Sequence, residues 1–186
     1  MLKEYVERRL SLELEQVKKK RKNNPSSELN VYEETLIYHY TIEGYERLNE
    51  DLISEKENEY EKYLNEALDK LPNYREITHR GVELSQSQIE RYKNAFKNNG
   101  KIIESAFISS SKSQLTANEY SKASVIMSII SKTGKEIAAY SKYNYEQEVL
   151  FKSKSTFNVL SVDESERIIE IILEEIENEQ IRPFGK

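Results

Sequence analysis

Tyr145-Glu146-Gln147-Glu148-Val149-Leu150-Phe151 sets two carboxylates, with one residue between them, at the head of an apolar run. A β-branched residue, a leucine and an aromatic in succession are the material of a buried strand. The pattern predicts a strand over 146–151. Successive strand side chains alternate faces, so Glu146 and Glu148 are expected on one face. Downstream, 157–162 alternates at period two, and in 167–177 the isoleucine spacing suits a helix stripe while the isoleucine density favours a further strand, the reading preferred. Upstream, 136–140 and 76–80 read as strands, the second closed by Gly81, and 101–109 as extended chain. A helix is expected over 86–98, ended by Asn98-Asn99-Gly100, and a helix running into a strand over 116–131.

Before Pro72 the period is helical. Leu10, Leu14 and Val17 form the stripe of a charged helix over 2–22. Helices are also predicted over 31–40, 45–52 and 57–70, with Gly44 interrupting or ending the first of these. In the last, Tyr60, Leu64, Ala67, Leu68 and Leu71 share one face, and Leu71-Pro72-Asn73 stops it. Helices first and strands later imply an α+β fold. Asn23-Asn24-Pro25-Ser26-Ser27 reads as a linker, which divides the chain into an N-terminal helix and linker over 1–30 and a main domain over 31–186. The run Lys18-Lys19-Lys20-Arg21-Lys22 is either a solvated helix end, with cations at the negative end of the helix dipole, or a patch for an anionic partner.

The 186 residues fit one domain with a short appendage, and 37% apolar residues suffice for a core beside 33% charged ones. There is no cysteine, and the two histidines, His39 and His79, lie far apart. Disulfides and thiolate metal sites are excluded, and no metal is expected. The net charge of −5 argues against general nucleic-acid binding. No apolar run approaches the ~18 residues of a membrane span. The opening Met1-Leu2-Lys3-Glu4 turns charged at once, without the apolar stretch of a signal peptide, so no membrane partner is expected. The five glycines, Gly44, Gly81, Gly100, Gly134 and Gly185, are too scattered for the glycine-rich turns that cradle phosphates.

Three segments carry candidate chemistry: Thr78-His79-Arg80-Gly81, Phe107-Ile108-Ser109-Ser110-Ser111, and the acidic stretch quoted first. In order and content they resemble the arginine, serine and glutamate motifs of the arginine-specific mono-ADP-ribosyltransferases, a family that includes bacterial toxins. Tyr40-Thr41 with Tyr45 and Asn49 resembles the helical stretch ahead of the arginine motif, and Ala138-Ala139-Tyr140-Ser141 the approach to the catalytic strand. The resemblance covers about 31–176. It departs at His79, where the family often has an aromatic, at Ser110, where it has threonine, and at Lys152-Ser153-Lys154-Ser155, where it often has a proline-glycine turn.

The resemblance implies two packed β-sheets around an NAD cleft with an N-terminal helical lobe, 31–186 being the catalytic domain. It implies transfer of ADP-ribose from NAD, as co-substrate, to an arginine of a target protein, with release of nicotinamide and side NAD hydrolysis. Breaking the nicotinamide–ribose bond builds positive charge on the ribose, as in glycoside hydrolysis, and a carboxylate beside that charge stabilises it. By resemblance Glu148 is that carboxylate and also grips the ribose, while Glu146 faces the acceptor guanidinium, a fork of donors suited to a carboxylate. Arg80 is implied to hold the dinucleotide, Gly81 to let the backbone approach or turn, Ser109 to orient Glu148, and Ser111 to touch the nicotinamide side. Tyr143, among Tyr140, Tyr143 and Tyr145, is expected to recognise the substrate. A toxin or effector, secreted or injected, or else a cytoplasmic enzyme, fits this reading. The alternatives are the same core acting on a nucleic acid or a small guanidino compound, or an inactive scaffold kept for binding.

Overall fold

The computed structural model describes residues 1–23, 28–119 and 124–177; residues 24–27 of the expected linker and 120–123 of the segment 116–131 lie outside them. Five helices come first: α1 (Leu2–Arg9), α2 (Ser11–Asn23), α3 (Val31–His39), α4 (Tyr45–Ile53) and α5 (Glu59–Leu68). Their starts follow from local chemistry. The Asn30 side chain accepts from the backbone N–H groups of Tyr32 and Glu33, while the Glu33 carboxylate accepts from Asn30 N, a reciprocal cap. The N-terminal helix expected over 2–22 is two helices, broken at Leu10 with φ −130°. Val6, Leu10 and Leu14 join Leu36, Ile37, Leu64 and Leu68 in one hydrophobic cluster, so the boundary expected at residue 30 falls inside a shared core.

Gly44 does not end a helix. The chain passes from α3 through a π-helical turn, Tyr40–Gly44, into α4. Gly44 is needed for space instead: a Cβ there would lie 2.7 Å from His39 Cδ2 and 3.0 Å from the Tyr60 hydroxyl. Such π turns insert a residue and re-aim side chains, commonly at functional sites.

The remaining elements are β1 (Asn73–Tyr74), β2 (Ile77–Val82), α6 (Gln86–Lys97), β3 (Lys101–Glu104), β4 (Ile108–Ser111), α7 (Gln114–Glu119), β5 (Val125–Ile130), β6 (Gly134–Glu136), β7 (Glu148–Phe151), β8 (Ser155–Asp163) and β9 (Ile169–Ile176). This is an α+β fold. The strands form one hydrogen-bonded order, β1-β6-β7-β4-β2-β5-β9-β8-β3. The two sheets expected from the resemblance are the wings of this ladder, joined at β2 and β4 by a single pair, His79 with Ser111. The wings face each other: Phe151 of β7 meets Phe157 of β8 at 5.6 Å between rings, in a cluster with Met127, Ile129, Ile171 and Leu173. Among the described residues no helix is long and apolar enough to cross a membrane.

Two strand expectations are corrected. The strand expected over 136–140 ends at Glu136, and the chain turns where the N–H groups of Tyr140 and Ser141 both donate to Ile137 O. The turn's own carbonyls are held from outside: Lys20 Nζ donates to Ala139 O and Ser141 O at 2.8 and 3.1 Å. The strand expected to begin at Glu146 begins at Glu148. Asn144–Glu146 is a 3₁₀ turn, and Gln147 is left-handed at φ 48°. The end of β4 imposes this shape: Ser111 Oγ donates to Glu146 O at 2.7 Å, and Lys112 N to Gln147 O at 3.1 Å.

Candidate active site

A cleft of about 620 Å³ opens beside the β2–β4 junction, within the size range of small-molecule sites. Its floor is three adjacent strands: β2 supplies His79, Arg80 and Gly81, β4 supplies Ser109 to Ser111, and β7 supplies Glu148. One side is the π turn and α4, through Tyr40, Thr41, Ile42, Tyr45 and Asn49; the other is the turn before β7, through Tyr143, Tyr145 and Glu146. All three motifs therefore meet in one cavity.

Glu148 opens β7 opposite Ser111 and is 5% exposed. Burial pushes its carboxyl up to about 7; the Glu146 charge adds to this, while a hydrogen bond from Ser109 and the Arg80 guanidinium oppose it. Arg80 Nη1 donates to Ser109 O at 2.6 Å, which ties the arginine and serine motifs together at the cleft floor.

Glu146 shares the cleft with Glu148, as expected, although not by strand alternation: the 3₁₀ turn and the left-handed Gln147 carry it there. Ser111 lines the cleft, but its hydroxyl is engaged with Glu146 O and with the N–H of Ser113, so it shapes the acidic turn. Ser110, buried, donates to Val149 O. Gly81 makes no sharp turn. It sits in extended β2 opposite Ile126, where the missing side chain leaves the cleft wall bare. Lys154, at φ 63°, makes the β7–β8 turn in place of the family's proline-glycine.

Tyr143 lines the cleft, with its ring 6.0 Å from that of Tyr145 and Lys142 Nζ 5.3 Å above it. Tyr145, 69% exposed, stands at the same rim and presents a second aromatic beside Tyr143. Tyr40 is fully buried; burial first, and the Glu148 charge next, hold its hydroxyl far above the ordinary phenol range. Asn49, which opposes that shift, accepts at its side-chain oxygen from Phe107 N at 3.2 Å. Phe107 of the serine segment also lines the cleft, as do Ile42 and Thr116, which belong to no motif. His79 bridges β2 to β4, meets Ser128 Oγ at 3.3 Å and has its pKa lowered by burial, which suits a packing role.

The residues fit a dinucleotide. Arg80 offers a cation for a phosphate, Gly81 an uncovered backbone, and the Tyr45 ring an aromatic face. Among the described residues no group of His, Cys, Asp or Glu is placed to hold a metal ion. The basic run is partly absorbed by the fold: Lys20 bonds the 139–141 turn, and Arg21 bonds Leu29 O and pairs with Glu34 at 3.3 Å.

The family model described as NAD:arginine ADP-ribosyltransferase matches residues 9–180. A curated protein of Mycobacterium avium named as an NAD(+)–arginine ADP-ribosyltransferase, Mav, is 32% identical over 145 residues, which are 75% of this chain and 17% of that protein's length. Exoenzyme S of Pseudomonas aeruginosa, solved with human 14-3-3 protein beta and Carba-NAD, superposes with TM-score 0.78 at 18% identity, covering 99% of this chain and 92% of that one. ADP-ribosyltransferase HopU1 of Pseudomonas syringae superposes with TM-score 0.74 at 22% identity, covering 84% and 82%. These likenesses to solved structures establish the shared fold.

Proposed function

The chain belongs to the NAD:arginine ADP-ribosyltransferase family, and on that premise we propose that it moves ADP-ribose from NAD to an arginine of a target protein, as a toxin or effector, with slow NAD hydrolysis when no acceptor is bound. The observation that carries this reading is a buried carboxylate, Glu148, whose proton affinity is raised to about 7 inside a cleft shaped for a ligand. An ionised carboxylate there lacks a full counter-charge. A cation developing at the ribose C1′ supplies one, so the attraction is strongest in the transition state, where it lowers the barrier.

In the proposed reaction the bond between C1′ and the nicotinamide nitrogen breaks, and its electron pair neutralises the pyridinium. Nicotinamide leaves. A guanidine nitrogen bonds C1′ from the opposite face, inverting that carbon, and its proton passes to the Glu146 carboxylate and on to water. Arg80 holds the dinucleotide, and Ser109 orients Glu148. Glu146 and Tyr143, at the rim, receive the guanidinium by a charged pair and an aromatic face.

The engagement of Lys20 and Arg21 within the fold weakens the nucleic-acid alternative. Full occupancy of the Arg80, Ser109 and Glu148 positions weakens the inactive-scaffold alternative. The test is agmatine or protein labelling beside nicotinamide release, with wild type and Glu146→Gln. The variant should lose transfer by roughly tenfold or more, from a charge-assisted pair of about 1.5–3 kcal/mol, while keeping much of its NAD hydrolysis. Equal loss of both activities would assign Glu146 to bond breaking. Unchanged labelling of agmatine would reject Glu146 as the partner of the guanidinium, and a wild type that labels no agmatine would reject an arginine acceptor.

A further inference from the structure

Lys20 lies far in sequence from the catalytic motifs, yet it reaches the segment that carries the acceptor side of the cleft. Its ammonium donates to Ala139 O and Ser141 O at 2.8 and 3.1 Å. The segment from Ile137 to Gln147 makes no continuous ladder. Its N–H groups are spent locally: Tyr140 and Ser141 donate to Ile137 O, Tyr143 to Ser141 Oγ, and Glu146 to Tyr143 O. Lys142 N donates to Thr41 Oγ1 of the π turn at 3.3 Å. Ser111 and Lys112 hold its far end. Lys20 supplies the tie on the near side, where the carbonyls point out of the turn.

The other end of this tie is stiff. Val17 and Leu14 are buried, Arg21 pairs with Glu34 at 3.3 Å, and His39 meets Glu13 at 3.1 Å, so α2 is fixed to α3 on both sides of Lys20. The ammonium is partly desolvated, which lowers its pKa, with Glu34 opposing that shift. An ammonium on two carbonyls satisfies acceptors that a turn leaves open, and bonds to a charged donor are the stronger ones.

We propose that Lys20 is a positioning residue for the acceptor step: from α2 it fixes the 139–146 segment, so that Tyr143 and Glu146 are preset to receive a guanidinium. The N-terminal helices are then part of the acceptor machinery. This rests on the transferase reading above. Arg80, Ser109 and Glu148 sit on strands that Lys20 does not touch, so nicotinamide release without acceptor is independent of it. Losing the tie costs alignment of the acceptor, and alignment is a large part of a two-substrate reaction.

The test compares wild type, Lys20→Met, which keeps the aliphatic stem without the donors, and Lys20→Arg, which restores donors. Lys20→Met should raise the KM for agmatine by about tenfold, the scale of a lost charge-assisted bond, with the NAD KM and acceptor-free hydrolysis unchanged. Lys20→Arg should recover most of the loss. Amide hydrogen exchange of Tyr140 through Glu146 should quicken in Lys20→Met, with β5 and β9 unaffected. Unchanged exchange in that segment overturns the proposal, as does hydrolysis falling in step with transfer. A wild-type protein that releases nicotinamide but labels no agmatine overturns the arginine reading, and the exchange comparison then still decides whether Lys20 holds the segment.

Discussion

Replacing Glu148 with glutamine should stabilise the protein in a pH-dependent way while abolishing its chemistry. An ordinary glutamate titrates at 4.5, and burial carries Glu148 to about 7. Below pH 4.5 the group is protonated folded or unfolded, and its acidity contributes nothing. As pH rises through the window to 7, the unfolded chain releases the proton and the folded chain keeps it, so stability falls. Above 7 the full cost is present. The gap from 4.5 to about 7, at about 1.4 kcal/mol per pH unit, is roughly 3 kcal/mol. Glutamine cannot ionise, and whatever its amide costs in the cleft is the same at every pH. The stability of Glu148→Gln relative to wild type should therefore climb by roughly 3 kcal/mol between pH 4.5 and 8, or about 6–12 °C in Tm for a chain of this length. Urea unfolding at four pH values across that range measures it. A difference that stays flat within ~0.5 kcal/mol would refute the claim that Glu148 is a destabilised carboxylate, and with it the argument that a ribose cation relieves it. Sites built for catalysis commonly carry such a cost.

The same variant should lose both transfer and NAD hydrolysis by about a hundredfold or more, read as nicotinamide release at saturating NAD. Arg80→Lys keeps the charge but loses the fork that reaches Ser109 O, so calorimetric NAD affinity should weaken, and unchanged affinity would reject the cofactor role. Gly44→Ala should destabilise by about 1–3 kcal/mol in urea, because the added methyl meets His39 at 2.7 Å; wild-type stability would mean the π turn yields freely.

Much of this protein was legible one segment at a time. The apolar run Val149-Leu150-Phe151 dictates a buried strand, Asn98-Asn99-Gly100 marks a helix end, and helical period before strand period fixes the α+β class. The arginine, serine and glutamate motifs were readable as a set, and the fold brings them to one cleft. Tertiary structure decided what depends on distant partners. Nothing in Ile137-Ala138-Ala139-Tyr140 signals a turn; the Lys20 ammonium, 119 residues away from Ala139 in sequence, meets its carbonyl. Nothing in Glu146-Gln147-Glu148 breaks a strand; Ser111 and Lys112 at the end of β4 hold the chain in a turn. The glycine at 44 looked like a breaker because local propensity counts backbone freedom, whereas its task is to admit His39 and Tyr60. The raised acidity of Glu148 belongs to the same class, since composition names a carboxylate but only burial among three strands sets its charge. Local sequence specifies which backbone states are cheap, and long-range hydrogen bonds and desolvation choose among them at the places where the chemistry sits.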